Sequence, residues 1–142
     1  MNYIWVSVLY EEVISKYATM MMKLLSEPKH SFAETSSANV PKDPGVYVIY
    51  NKTAKRIIYA GRTSNLRRRL LGNHKRGNIE GSQFRKALKR HQVLSSEKEI
   101  TNYILENCSF KFMKIDNFEN MIRLEHFTTA VLAPTLNIKL KQ

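Results

Sequence analysis

The sequence predicts an α+β fold: a small three-stranded antiparallel sheet flanked by helices, with an extra amphipathic helix at the N-terminus. Two β-branched and aromatic runs, Val46 to Tyr50 and Arg56 to Ala60, flank the polar stretch 51–55, the pattern of an antiparallel hairpin. A third run, Ser109 to Ile115, alternates aromatic or aliphatic residues with lysines, as a strand with one face on the core does. Most other apolar residues recur at helical spacing, so helices must cover the sheet.

From Val6 to Leu25 the stripe Val6, Leu9, Val13, Tyr17, Met20, Met21 and Leu24 marks an amphipathic helix. Trp5 and the Met20 to Met22 run read as packing residues; a homodimer face on this helix is the alternative. Ser26 to Asp43 is polar, with few apolar residues, and reads as a partly mobile linker. Residues 1–42 are therefore expected to form a helix and linker packed on a main domain of residues 43–142.

Within the hairpin, a turn centred on Thr53 would set Tyr47 opposite Tyr59 with both phenols on one face, and a one-residue slip would part them. Gly61 is expected to break the chain through an unusual backbone turn, and Thr63, Ser64 or Asn65 to cap a following helix. There Leu66 and Leu70 face the core, Arg69 flanks them, and Arg67 and Arg68 point outward. The glycines and asparagines between Gly72 and Gly81 mark a basic loop. Phe84, Ala87 and Leu88 then share one face of a short helix, with Arg85, Lys86, Lys89 and Arg90 on the others. Ser96 and Glu99 form a capping-box pattern ahead of a helix carrying Ile100, Tyr103 and Ile104.

The last helix, Phe118 to Leu132, carries an anomaly. Glu119, Arg123 and His126 mark its wet side, whereas Glu125 falls on the other, beside Phe118, Met121, Ile122 and Leu132. A carboxylate there needs compensation from an arginine, a metal or a set of donors. Pro134 ends the helix, and Thr135, Leu136 and Asn137 lead back toward the sheet.

Charge narrows the function. The chain of 142 residues carries 23 Lys and Arg against 12 Asp and Glu, a net charge of +11. An imbalance of this size favours a polyanionic partner, because each neutralised phosphate releases condensed counterions. The basic residues crowd into one window near the hairpin: Arg62, Arg67, Arg68, Lys75, Arg76, Arg85, Lys86 and Lys89 are the candidate nucleic-acid contacts. A solvated basic surface is the plainer alternative. With Cys108 as its single cysteine the chain can form no internal disulfide, which fits a reducing cytoplasmic setting. The first residues, MNYIWVSVLYEE, resemble neither a signal peptide nor a membrane span.

Gly45-Val46-Tyr47, then Tyr59-Ala60-Gly61, then an arginine eight residues further on, together resemble the signature of the GIY-YIG nuclease family. The resemblance continues to Glu125 and Asn137 and spans roughly residues 43 to 138. Val46 and Ala60 stand where the family name has isoleucine. The resemblance implies a metal-dependent endonuclease acting on DNA, of restriction or structure-selective repair type. Tyr47 and Tyr59 would activate and orient the attacking water, Arg69 would stabilise the scissile phosphate, and Glu125 would hold one Mg²⁺ or Mn²⁺ ion. Gly45, Gly61, Arg62 and Asn137 would support the site. His74 lies one position later than a histidine found in several members, so it is either a site residue or a loop residue. A phenol ionises near pH 10, so nearby cations such as Arg62 and Arg69 are expected to lower that value. The competing reading is a catalytically inactive nucleic-acid-binding module of the same fold.

Overall fold

A computed structural model describes residues 3–137, and their side chains from residue 7 onward. The packing expected of Trp5 and Val6 lies outside those side chains. The elements, in order, are α1 (Tyr3–Ser26), β1 (His30–Ser31), β2 (Gly45–Asn51), β3 (Arg56–Thr63), a π-helix (Arg68–Arg76), α2 (Gln83–Gln92), α3 (Glu97–Asn107), β4 (Cys108–Lys114) and α4 (Phe118–Leu132). No helix among the described residues is long and apolar enough to cross a membrane.

The sheet has four strands in the order β1-β4-β2-β3, all pairs antiparallel, and not three. The extra strand comes from the stretch expected to be a partly mobile linker. His30 and Ser31 pair with Phe110 and Ser109, and the neighbouring Phe32 and Val40 are fully buried. Two large apolar side chains in a polar stretch suffice to pin it, since each removes well over 1 kcal/mol of apolar surface from water.

Both faces of the sheet are covered. One side packs Tyr47, Ile49 and Phe110 against Leu66, Leu70, Phe84, Leu88, Ile100 and Ile104 from the helices that follow β3. The other packs Val46, Val48, Ala60 and Met113 against Tyr17, Met21 and Leu24 of α1 and Met121 and Leu124 of α4. The lysine-bearing face of β4 is thus not simply wet: Lys111 donates to the Leu25 carbonyl at the end of α1. In the methionine run Met21 is buried, Met20 partly buried and Met22 exposed. Phe118, expected beside Glu125 in the core, is 68% exposed.

The hairpin register differs from expectation by two residues. Asn51 Oδ1 accepts from the Ala54 amide, and Lys55 adopts a left-handed backbone with φ 54°, which moves the turn beyond Thr53. A bulge between Ile49 and Tyr50 shifts the pairing again. Tyr47 therefore faces Gly61, and Tyr59 faces Ile49. A shift of two preserves the side-chain alternation, so both phenols keep one face as diagonal neighbours.

Candidate active site

Gly61 does not break the chain. It lies inside β3, which runs on to Thr63, and no described glycine has a positive φ. Its part is to leave room: a Cβ at residue 61 would stand 2.5 Å from Tyr47 Oη and 2.6 Å from Cζ. The Tyr47 ring crosses the space a side chain would fill. Gly45 is confined in the same way, by the Met113 carbonyl and Leu66.

After β3, Thr63 Oγ1 accepts from the Asn65 amide and Asn65 Oδ1 from the Arg68 amide, so Asn65 is the cap. Leu66 and Leu70 are fully buried, as their spacing requires. Beyond them the chain stays helical to Arg76 where a loop was expected, and it widens to π geometry. With hydrogen bonds reaching five residues back, residue i+5 lies over residue i. His74 thereby occupies the side on which Asn73 would stand in a regular α-helix, the same side as Arg69.

His74 is fully buried within the site. Its Nε2 lies 2.7 Å from Tyr47 Oη and its Nδ1 2.8 Å from Ser82 Oγ, which also accepts from the Arg85 amide as the N-cap of α2. Burial first, then the Arg69 and Arg85 charges, push the His74 pKa down to about 3, so its ring is neutral at physiological pH. Tyr59 completes the aromatic cluster, with its ring centroid 6.3 Å from that of Tyr47, 5.9 Å from His74 and 5.4 Å from Phe84. Phe84 was legible as a core residue of its helix but not as a neighbour of Tyr59 and His74, and Ser82 escaped the sequence reading. The one available signal was Ser82 in N-cap position, and nothing local said which residue it would touch.

The phenols do not titrate low, as nearby cations were expected to make them. Burial raises both pKa values, most strongly at Tyr47, whose charged form is further disfavoured by Tyr59 and Glu125; Arg69 acts in the opposite sense and does not prevail. The charges of Arg69 and Glu125 act on both rings in opposite senses. Arg69 Nε is buried without a hydrogen-bond partner among the described residues.

Glu125 is paired with Arg62, near the end of β3. Arg62 Nη1 lies 3.0 Å from Glu125 Oε2, and His126 Nε2 lies 3.6 Å from the same oxygen. The carboxylate is 14% exposed, and its Oε1 has no hydrogen-bond partner among the described residues. No group of three or more His, Cys, Asp or Glu side chains able to hold a metal occurs among those residues. Asn137 clamps β3 from outside the sheet, accepting from the Ala60 amide at 2.7 Å and donating to its carbonyl at 2.8 Å. It serves the open edge of β3 as a short neighbouring strand would.

The basic window divides. Arg68, Arg76 and Lys89 are exposed, and Lys86 partly so. Arg67 is half-buried, its Nε donating to the Val40 carbonyl, and Lys75 Nζ reaches the Thr35 carbonyl at 3.5 Å. Arg85 is no surface residue: it is 0% exposed and donates to the carbonyls of His74, Lys75 and Glu97, to Glu97 Oε1 and to Thr101 Oγ1. It ties the π-helix to α3 and is removed from the candidate nucleic-acid contacts.

A tyrosine pair on the hairpin, Tyr47 buried and Tyr59 partly so, with His74 on the Tyr47 hydroxyl, belongs to an endonuclease domain of GIY-YIG type. The chain belongs to the GIY-YIG family: the profile of the GIY-YIG catalytic domain matches residues 43–129. Among solved structures it is similar to the N-terminal endonuclease domain of UvrC from Thermotoga maritima. A tyrosine-to-phenylalanine variant with its catalytic divalent cation is 22% identical, with a TM-score of 0.45, and the match covers 72% of this chain and 91% of that one. The magnesium-bound form is 23% identical over the same shares, with a TM-score of 0.44. None of the curated proteins compared matches.

Proposed function

We propose that the chain is a metal-dependent endonuclease hydrolysing DNA phosphodiesters. The observation that carries this is the pairing of the Tyr47 and Tyr59 rings, centroids 6.3 Å apart, with His74 Nε2 2.7 Å from Tyr47 Oη, inside a chain of the GIY-YIG family. A single carboxylate with an uncommitted oxygen fits a hard divalent ion such as Mg²⁺ or Mn²⁺, which completes its shell with waters and substrate phosphate oxygens. Glu125 would hold that ion, which when bound polarises the phosphate and eases ionisation of groups beside it.

Arg69 has an unpaired buried Nε–H, and it presents its guanidinium to the non-bridging oxygens, where charge grows in the transition state. The Tyr47 phenol, held by His74, first gives up its proton to solvent, and the phenolate then accepts the proton of the attacking water. Tyr59 orients that water. His74 fixes the phenol's direction and stores no positive charge, because burial and two arginines disfavour its imidazolium. Arg68, Arg76, Lys86 and Lys89 supply sequence-independent contacts to the backbone of the duplex.

The test is incubation of the pure protein with supercoiled plasmid and with branched DNA, with and without Mg²⁺. Cleavage only with Mg²⁺ is expected, lost in Arg69→Ala and Glu125→Ala while binding persists. A folded wild-type protein inert on every DNA form overturns the reading. Discrete plasmid fragments would mark restriction-type cutting, and preference for the branched form a structure-selective nuclease.

A further inference from the structure

A cavity of about 110 Å³ opens against Tyr59 and is lined by Tyr59, Gln83, Ala87, Arg90, Leu136 and Asn137. One water needs only about 10–15 Å³ of such space, so the cavity has room for a larger group. Gln83, Ala87 and Arg90 stand at positions i, i+4 and i+7 of α2 and form one wall. Tyr59 and the segment 136–137, packed on the open edge of β3, form the other.

The lining selects for charge. Ala87, 2% exposed, gives a small apolar floor. Both amide groups of Asn137 are committed to Ala60, which makes it a fixed wall. The remaining polar groups are the Gln83 amide, the Arg90 guanidinium and the Tyr59 hydroxyl, all able to donate. No acidic residue lines the cavity, and Arg90 has no ion-pair partner among the described residues.

We propose that this cavity is a subsite for one nucleic-acid backbone phosphate, the one next to the scissile phosphate. It rests on the nuclease reading and adds a second anchoring point to it. Because Tyr59 is a wall shared by the cavity and the reaction centre, a strand whose reacting phosphate faces Arg69 passes the neighbouring one to Arg90. Seating two consecutive phosphates fixes the strand's direction, which one contact at the scissile position does not. Arg90 is then a positioning residue: its guanidinium never meets the bond that breaks.

The experiment uses duplex oligonucleotides spanning a cleavage position mapped on plasmid, bound by the Glu125→Gln protein so that the DNA stays intact. Neutral methylphosphonate replaces each phosphate flanking the scissile one in turn. At one flank the replacement is expected to weaken binding about tenfold, and to have no effect once Arg90→Gln is also present. Arg90→Gln alone should lower the slope of log affinity against log salt by about one, whereas Lys98→Gln, which removes an exposed charge on α3, should leave the methylphosphonate effect intact. In the active protein Arg90→Gln should raise KM more than it lowers kcat. If the methylphosphonate costs the same with and without Arg90, the subsite is overturned while cleavage by the wild type preserves the nuclease reading. A wild type that cuts nothing removes both. Direct occupancy is read from the Gln83 side-chain amide and Arg90 Nε signals in NMR titrations with a dinucleotide: a shift in both supports the subsite, and no shift overturns it.

Discussion

Arg62 Nη1 lies 3.0 Å from Glu125 Oε2, spanning from the end of β3 to α4, so the protein itself supplies this carboxylate with a counter-ion. The arginine is 39% exposed and the glutamate 14%. Such a half-wet pair is worth no more than about 1 kcal/mol, enough to neutralise the carboxylate in the free protein and too little to hold it against a divalent cation.

A cation arriving at Glu125 must therefore displace Arg62 or share an oxygen with it. Arg62→Gln is expected to bind Mn²⁺ roughly two- to fivefold more tightly without DNA, the range a pair of that strength allows. Glu125→Gln should lose the site. Titration followed by the paramagnetic resonance of free Mn²⁺ measures both without requiring cleavage. Unchanged or weaker Mn²⁺ binding by Arg62→Gln would show that the ion pair does not guard the carboxylate.

With Tyr47 as the proposed proton acceptor, its ionisation would set the pH dependence of cleavage. Burial and the neighbouring Tyr59 and Glu125 hold its phenol above the ordinary value, so the ionised fraction at neutral pH is small and grows tenfold per unit. The rate of the wild type with saturating Mg²⁺ should rise with pH across the neutral range, where a bound ion eases this ionisation without completing it. Tyr47→Phe should cost a hundredfold or more in kcat, the usual contribution of a positioned acid or base. A plateau beginning near pH 7 would mean that the proton acceptor is some other group.

How much of this was legible in the sequence follows from the range of each interaction. Hairpin, caps and apolar stripes are local, so Val46 to Ala60, Leu66 with Leu70, and Ser96 with Glu99 were readable. The register was not, because it depends on Lys55 entering the left-handed region and on a bulge beside Ile49, neither of which the strand composition marks. The extension of the Arg-rich helix to Arg76 hid behind Gly72 and Asn73, residues that usually end helices, although Leu71 and His74 have buried places to fill there. Arg85 looked solvated because its helical wheel shows only its own helix, whereas its five acceptors come from other segments. Ser82 escaped for the same reason.

His74 links the site to acid stability. In the unfolded chain its pKa is about 6.5, and in the folded protein about 3, so below pH 6.5 the unfolded state binds more protons. The stability its neutral ring contributes is complete above pH 6.5 and is lost as pH falls toward 3, at up to 1.4 kcal/mol per unit. Between pH 7 and pH 5 this removes about 2 kcal/mol. Urea unfolding of wild type and His74→Gln should show the wild type falling more steeply over that interval. Parallel curves would place the acid sensitivity elsewhere.

Arg85 separates stability from DNA contact. Truncating it strands the His74, Lys75 and Glu97 carbonyls, leaves a fully buried cavity and releases the π-helix that carries Arg69 and His74. Each buried carbonyl left without its donor costs about 1–3 kcal/mol, so Arg85→Ala is expected to move the urea midpoint far down. Arg85→Lys keeps the charge but cannot fork among five acceptors, and should fall between the two. Exposed Lys89→Ala should leave the midpoint within about 0.5 kcal/mol of wild type and instead lower the salt slope of DNA binding. The reverse pattern, with a stable Arg85→Ala that binds DNA poorly, would return Arg85 to the surface and undo its place as the tie between the π-helix and α3.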